Sequence, residues 1–246
     1  MEIKKMNETI KQLFDRKSVR VFTDTEISPE NKNLILDAAA QAPTAGNQQL
    51  YTILDITDQA IKEKLVDTCD HQPFIAQAKL VLIFCADCRK WYNAFLAAGC
   101  EPRKPGVGDL MLAVSDATIA AQNAVVAAQS LGIGSCYIGD IMENYEQQKA
   151  LLNLPAYVFP AAMLVFGYPT EQQLRRQKPI RSDRQYIVHE NGYRDMAADE
   201  LQAMLQVKAG QPDYDAWIKA FCNRKFNSDF SREMTRSVGQ YLDEFR

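Results

Sequence analysis

Two short stretches carry the side chains best suited to chemistry. Arg16-Lys17-Ser18-Val19-Arg20-Val21-Phe22 sets two guanidinium forks around a hydroxyl, and Ala42-Pro43-Thr44-Ala45-Gly46-Asn47-Gln48 follows further on. Arginine presents a planar fan of donors that matches phosphate oxygens or an electron-rich carbonyl edge, Ser18 adds a donor between the forks, and Lys17 adds field. Thr44, Ala45 and Gly46 are small enough to let main-chain N–H groups face a flat ligand, while the Asn47 and Gln48 amides both donate and accept. Together the stretches read as two halves of a cradle for an anion and a ring. Each alone has an ordinary explanation, a solvated helix end for the first and a turn after a helix for the second.

The elements that must position them follow from pattern. Residues 5–15 predict an amphipathic helix with Ile10, Leu13 and Phe14 on one side, delivering the basic stretch at its C-terminal end, where cations suit the helix dipole. Ser28, Pro29 and Glu30 mark the N-cap and first turn of a second helix that runs to about Gln41 and stops before Pro43. A strand over Tyr51–Ile56, a short helix near 59–68 and a buried central strand over Leu80–Ala86 come next. Residues 116–131 are apolar on nearly every face and predict a helix buried all round, with Gly132 as its C-cap. A strand near 135–138, a helix over 143–153 and a strand over Ala161–Phe166 complete the core. Two further helices, 213–224 and 228–245, follow a linker at 209–212.

Composition narrows the function classes. With 246 residues, 47% hydrophobic and 24% charged, the chain has the balance of a globular protein able to bury a full core. A net charge of −3 gives no reason to expect a nucleic-acid partner. The apolar runs Leu80–Ala86 and Pro160–Phe166 fall far short of the roughly twenty residues of a bilayer span. The polar start Met1-Glu2-Ile3-Lys4-Lys5 lacks the apolar centre of an export signal. A cytoplasmic protein without a membrane partner is expected. Six scattered cysteines fit reduced thiols. Cys85-Ala86-Asp87-Cys88 has C-x-x-C spacing but no second pair, and with two histidines in the chain no metal site is expected.

Alternating strands and helices raise the doubly wound nucleotide fold, but its fingerprint fails. Gly132-Ile133-Gly134 follows a helix rather than a strand, and its third glycine, Gly139, comes late; Gly106-Val107-Gly108 has no third glycine. The G-x-x-x-x-G-K-[ST] and G-x-S-x-G motifs are absent. No acid, base and nucleophile constellation stands out, which suits chemistry performed by a bound cofactor.

Four ordered blocks carry a resemblance: Arg16–Phe22, Ala42–Gln48, His71-Gln72 with Leu80–Asp87, and Leu131–Gly139 with Phe166-Gly167-Tyr168-Pro169; Ile187–Tyr193 adds a fifth. The chain resembles the flavin-dependent nitroreductases, in the larger subgroup that includes NADPH:flavin oxidoreductases. The resemblance implies an α+β fold with a mostly antiparallel central sheet flanked by helices, a C-terminal helical arm and an intertwined homodimer. It implies an FMN-binding domain over 1–208 and an arm over 209–246 that reaches across to the partner, the alternative being that the arm packs on its own subunit. FMN would be bound, with NADPH or NADH as co-substrate. A hydride would pass to FMN and then to nitroaromatic, quinone or flavin acceptors by a ping-pong mechanism. A flavin-binding relative without general reductase turnover, such as a carrier or a flavin-destroying or dehalogenating protein, would share the same cradle.

Residue by residue, the resemblance implies that Arg16 and Ser18, with Lys17 nearby, hold the phosphate and ribityl end, and that Arg20 stabilises charge on the reduced flavin. Thr44, Ala45, Gly46, Asn47 and Gln48 would face the ring from the second subunit, Gln72 would contact it, and the backbone of Ile133, Gly134 and Ser135 would line it. Lys178-Pro179 matches a phosphate clamp, but Ile180 stands where the family has arginine, so that contact moves to Arg181 or is absent. Arg224 and Lys225 are candidates for the NADPH 2′-phosphate, and Arg236 for the mouth of the site.

Overall fold

The computed structural model describes residues 7–210 and 213–246; residues 5 and 6 of the first expected helix, the polar start, and Gln211-Pro212 of the expected linker lie outside the described residues. The chain divides into two compact units, Met1–Arg176 with Met234–Arg246, and Gln177–Glu233.

The first unit is built on four strands, β1 (Tyr51–Asp55), β2 (Leu80–Asp87), β3 (Gly134–Ile138) and β4 (Val158–Gly167), in the order β1-β2-β4-β3. Every pairing is antiparallel. The two inner strands are buried at every position, which explains why they read as unbroken apolar runs. Register slips between Phe84 and Cys85, where Pro160 stands opposite Cys85. Proline cannot donate to a ladder, and it is tolerated here because the site is a bulge and β3 pairs with β4 only from Met163 onward.

Around the sheet lie α1 (Glu8–Asp15), α2 (Pro29–Ala40), α3 (Gln59–Thr68), α4 (Phe74–Gln77), α5 (Arg89–Ala97), α6 (Val107–Ser130), α7 (Tyr145–Leu151) and α8 (Glu171–Arg175). Side-chain caps start α1 and α2: Asn7 Oδ1 accepts from Ile10 N at 2.9 Å, and Ser28 Oγ accepts from Asn31 N at 3.2 Å. This is the expected α+β arrangement of an antiparallel sheet flanked by helices.

The long helix departs from its expected form twice. It begins at Val107 because Asp109 accepts from Gly106 N at 2.8 Å and is gripped by Arg103, a cap that periodicity does not reveal. Nor is it buried all round. Ala113, Ala117, Ala120, Ala121, Ala124 and Ala128 form the buried side, whereas Met111, Leu112 and Ile119 make a second apolar stripe that stays exposed. Its end is as expected: Gly132 is left-handed at φ +72°, with Gly132 N donating to Gln129 O and Ile133 N to Ala128 O. Among the described residues α6 alone is long and apolar enough by composition to cross a membrane, and its alanine face packs into the core against β2 and β4.

The last helix, α11 (Asp229–Asp243), begins in the second unit and ends in the first. From Met234 on it belongs to the first unit, with Tyr241 and Phe245 in the core and Ser237 Oγ accepting from Tyr145 N at 3.0 Å. In the second unit α9 (Ala198–Ala209) contacts α10 (Tyr214–Lys225), which Asp213 caps at Ala216 N. The helices α4, α5, α8 and α9 were not expected.

Candidate functional site

On leaving α1 the basic stretch turns extended and lies along the free edge of β3. Val19 N donates to Ser135 O at 2.9 Å, Ser18 bridges Ser135, and Phe22 bridges Pro169. Two glycines permit this approach. A Cβ on Gly134 would sit 2.6 Å from Val19 Cγ2, and one on Gly167 would sit 2.7 Å from the Phe22 ring. Contact, not turn geometry, therefore demands Gly134, and it draws two of the expected blocks together.

The side chains of the stretch have different environments. Arg16 Nη1 is buried with no partner among the described residues, beside Gln12, Leu13, Val126 and Gln129. A buried cationic N–H without an acceptor is costly, and an anion would satisfy it. Lys17 Nζ donates to Leu174 O at 2.6 Å and to Arg176 O, capping the C-terminal end of α8. Arg176 donates to Ser18 O at 2.6 Å, and the buried Gln173 accepts from Arg20 N at 3.4 Å. The exposed Arg20 guanidinium lies 5.8 Å from the Phe74 ring centroid. Phe74 follows Gln72, whose Nε2 donates to Cys69 O at 3.0 Å across a turn with Asp70 and His71 left-handed. The structure thus gathers Arg16–Arg20, Ile133–Ser135 and the Gln72 turn.

The other half of the cradle lies elsewhere on the same chain. Thr44 Oγ1 donates to Asp116 Oδ2 and accepts from Gln49 N at 2.7 Å. Ala45 N donates to Asp116 Oδ1 at 3.0 Å, and Leu50 N to Oδ2 at 3.1 Å. Ala45 N–H is therefore directed into the protein, and a ligand at this turn meets the Asn47 and Gln48 side chains rather than a row of free amides. Gly46, Asn47 and Gln49 are all left-handed. Trp91 Nε1 donates to Gln48 O at 2.7 Å and, with Tyr92, Phe95 and Leu112, lines a cavity of about 270 Å³. Asp116 contacts this turn, and Val126 lines the same small recess as Arg16; the ten-residue step from Asp116 to Val126 spans about 15 Å of helix. The halves are thus anchored at different levels of α6.

In the second unit Arg181 Nη1 donates to Pro179 O at 3.2 Å, close to Lys178 in sequence. Arg224 lies over Phe221 and Lys225 over Phe230, at 5.3 and 5.7 Å. Arg236, in the first unit, forks onto Glu146 at 2.9 and 2.8 Å and ties α11 to α7. Burial pushes the thiols of Cys85 and Cys88 up to about 12, so neither is a thiolate at neutral pH.

Residues 13–168 match the nitroreductase family. The chain belongs to the nitroreductase family. FMN reductase (NAD(P)H) of Bacillus subtilis strain 168 is 32% identical over 240 residues, covering 97% of this chain and 92% of that one. An oxygen-insensitive NADPH nitroreductase of Salmonella typhimurium is 36% identical over 190 residues, 76% of this chain and 75% of its own. The NADPH:FMN oxidoreductase of Vibrio harveyi, solved with NAD+, superimposes with a TM-score of 0.81 over 96% of this chain and 98% of that one; at 23% identity it shows the shared fold. Four residues that organise this nitroreductase's candidate site lie outside every expected site: Asp116, Trp91, Gln173 and Arg176. Asp116 alone had a signal, being the one charged residue between Met111 and Ser130. The others are joined to the site only by the fold.

Proposed function

We propose that this nitroreductase is an NAD(P)H-dependent FMN oxidoreductase acting as a homodimer. The carrying observation is the buried Arg16 Nη1, without a partner among the described residues, at the head of a stretch pinned to β3, in a chain so similar over its length to an FMN reductase. Arg16 and Ser18 would hold the phosphate and ribityl end, with Lys178 and Arg181 as further cations for the phosphate. Arg20 and Gln72 would bring positive charge and an amide to the ring edge, and the backbone of Ile133–Ser135 would line the floor. When bound, FMN supplies hydride chemistry, accepting from NADPH or NADH and passing reducing equivalents to nitroaromatic, quinone or flavin acceptors.

The separation of the two halves along α6 supports a second copy as the source of the Thr44–Gln48 turn, whose Asn47 and Gln48 amides would cover the opposite ring face. On this reading residues 1–208 form the FMN-binding part, and 209–246 carry Arg224 and Lys225 toward an NADPH 2′-phosphate. One open cleft serving donor and acceptor in turn gives ping-pong kinetics, and the enzyme works in the cytoplasm without a nucleic-acid or membrane partner.

An absorption spectrum of the purified protein, before and after anaerobic NADPH or NADH, tests the reading. Oxidised-flavin bands that bleach are expected. Bands that persist would favour a flavin carrier, and no bands after reconstitution with FMN would overturn the assignment. Initial-rate lines should be parallel across donor and acceptor concentrations; intersecting lines would exclude the ping-pong order.

A further inference from the structure

We propose that Asp116 is a positioning residue for the cofactor: a buried carboxylate that sets the Thr44–Leu50 turn in the shape that faces the ring. This inference rests on the oxidoreductase reading. Asp116 is 3% exposed on the alanine face of α6, where a charge is costly unless its oxygens are occupied. Among the described residues they are occupied by one turn. Oδ1 accepts from Ala45 N, while Oδ2 accepts from Leu50 N and from the Thr44 hydroxyl. Thr44 passes the connection on by accepting from Gln49 N. The carboxylate therefore fixes both ends of a turn holding left-handed Gly46, Asn47 and Gln49. Such backbone persists in non-glycine residues only when its surroundings over-determine it.

The requirement is for an anion rather than for shape. An asparagine would fill the same space but present a donor either to Ala45 N–H or to Leu50 N–H, leaving one backbone donor facing another. The turn would then relax, moving the Asn47 and Gln48 side chains while the core beneath stays packed. Trp91, which holds Gln48 O from the other side, would not restore the inner contacts.

The test compares D116N and T44V with L82A, a core change in β2 remote from the turn. FMN is titrated into each apoprotein, the bound-flavin spectrum is recorded, and KM for a quinone is separated from kcat. D116N should weaken FMN binding on the order of tenfold, the consequence of losing about one charged hydrogen bond, and should alter the bound spectrum and raise acceptor KM more than it lowers kcat. T44V should do the same more mildly, since two backbone donors still reach Asp116. L82A should lose thermal stability without either change. Wild-type affinity and spectrum in D116N, or changes no greater than those of an equally destabilised L82A, would overturn the role. Should D116N not fold, T44V decides by the same readouts. Failure of the unsubstituted apoprotein to bind FMN would overturn the functional reading itself and this inference with it.

Discussion

Arg16 and Arg20 are four residues apart, yet their surroundings assign them different work. Among the described residues Arg16 carries a buried N–H with no acceptor, so its desolvation is uncompensated there. Arg16→Ala should leave the apoprotein as stable as before, or more so, while FMN affinity falls by about 1–3 kcal/mol, the value of a charge-assisted hydrogen bond. Calorimetric unfolding and FMN titration read the two effects separately, and a destabilised apoprotein would show that Arg16 is structural. Arg20 is exposed beside Phe74, with no buried group to strand, so Arg20→Ala should spare stability and FMN content but slow anaerobic flavin reduction on the order of tenfold or more. An unchanged reduction rate would remove it from the chemistry. The cysteines divide as sharply: Cys69, Cys85 and Cys88 are buried with thiols pushed up to about 12, whereas Cys100 and Cys222 are exposed. Brief native alkylation read by mass spectrometry should label Cys100 and Cys222 first, and early labelling of Cys85 or Cys88 would reopen a redox role for the C-x-x-C pair.

Among elements, the contact between β3 and the basic stretch carries the most consequence. Gly134→Ala forces a methyl to within 2.6 Å of Val19, in a buried place with no flexible side-chain end to yield. Overpacking of this kind costs about 1–3 kcal/mol, and because Val19 lies between Ser18 and Arg20 the variant should also bind FMN more weakly than its stability loss explains. Measured affinity unchanged beside a lowered Tm would separate packing from site. The start of α6 offers a pH test. Asp109 is held below the ordinary aspartate value of 3.8, first by Arg103 and then by Gly106 N–H. Its contribution is therefore complete above that value and lost as pH falls through the lower folded pKa, and Asp109→Asn should flatten acid unfolding in that range. These elements also show what sequence can disclose. Ser28-Pro29 and the Gly132 cap act on neighbours a few residues away, so α2 and the end of α6 were legible, as were the apolar inner strands. Asp116 meets Thr44 and Ala45 more than seventy positions away, and Arg176 meets Ser18 across 158. No local spacing encodes such partners, so the candidate ligand-facing stretches were readable while the residues that hold them were not.

At the scale of the whole molecule the decisive feature is the uncovered side of α6. Met111, Leu112 and Ile119 are 59%, 52% and 39% exposed on a helix whose other face is buried alanine. Apolar side chains repeating along one helix face are favourable only when something removes them from water. The second copy proposed above would meet that need and would also answer the separation of the two cradle halves, with Thr44–Gln48 of one copy facing Arg16 and Arg20 of the other. Assembly and cofactor binding should then fail together. Ile119→Glu places a carboxylate in the contact, a penalty on the order of 3 kcal/mol when no cation answers it, or roughly a hundredfold in association. Because Ile119 faces solvent in the single chain, helical content by circular dichroism should be retained. Light scattering should show a dimer for the unsubstituted protein and a monomer for the variant, and the monomer should lose bound FMN although Arg16, Ser18 and Arg20 are intact. A monomeric variant that keeps stoichiometric FMN would mean that one chain holds the cofactor alone, and the Thr44–Gln48 turn would have to be assigned some other work.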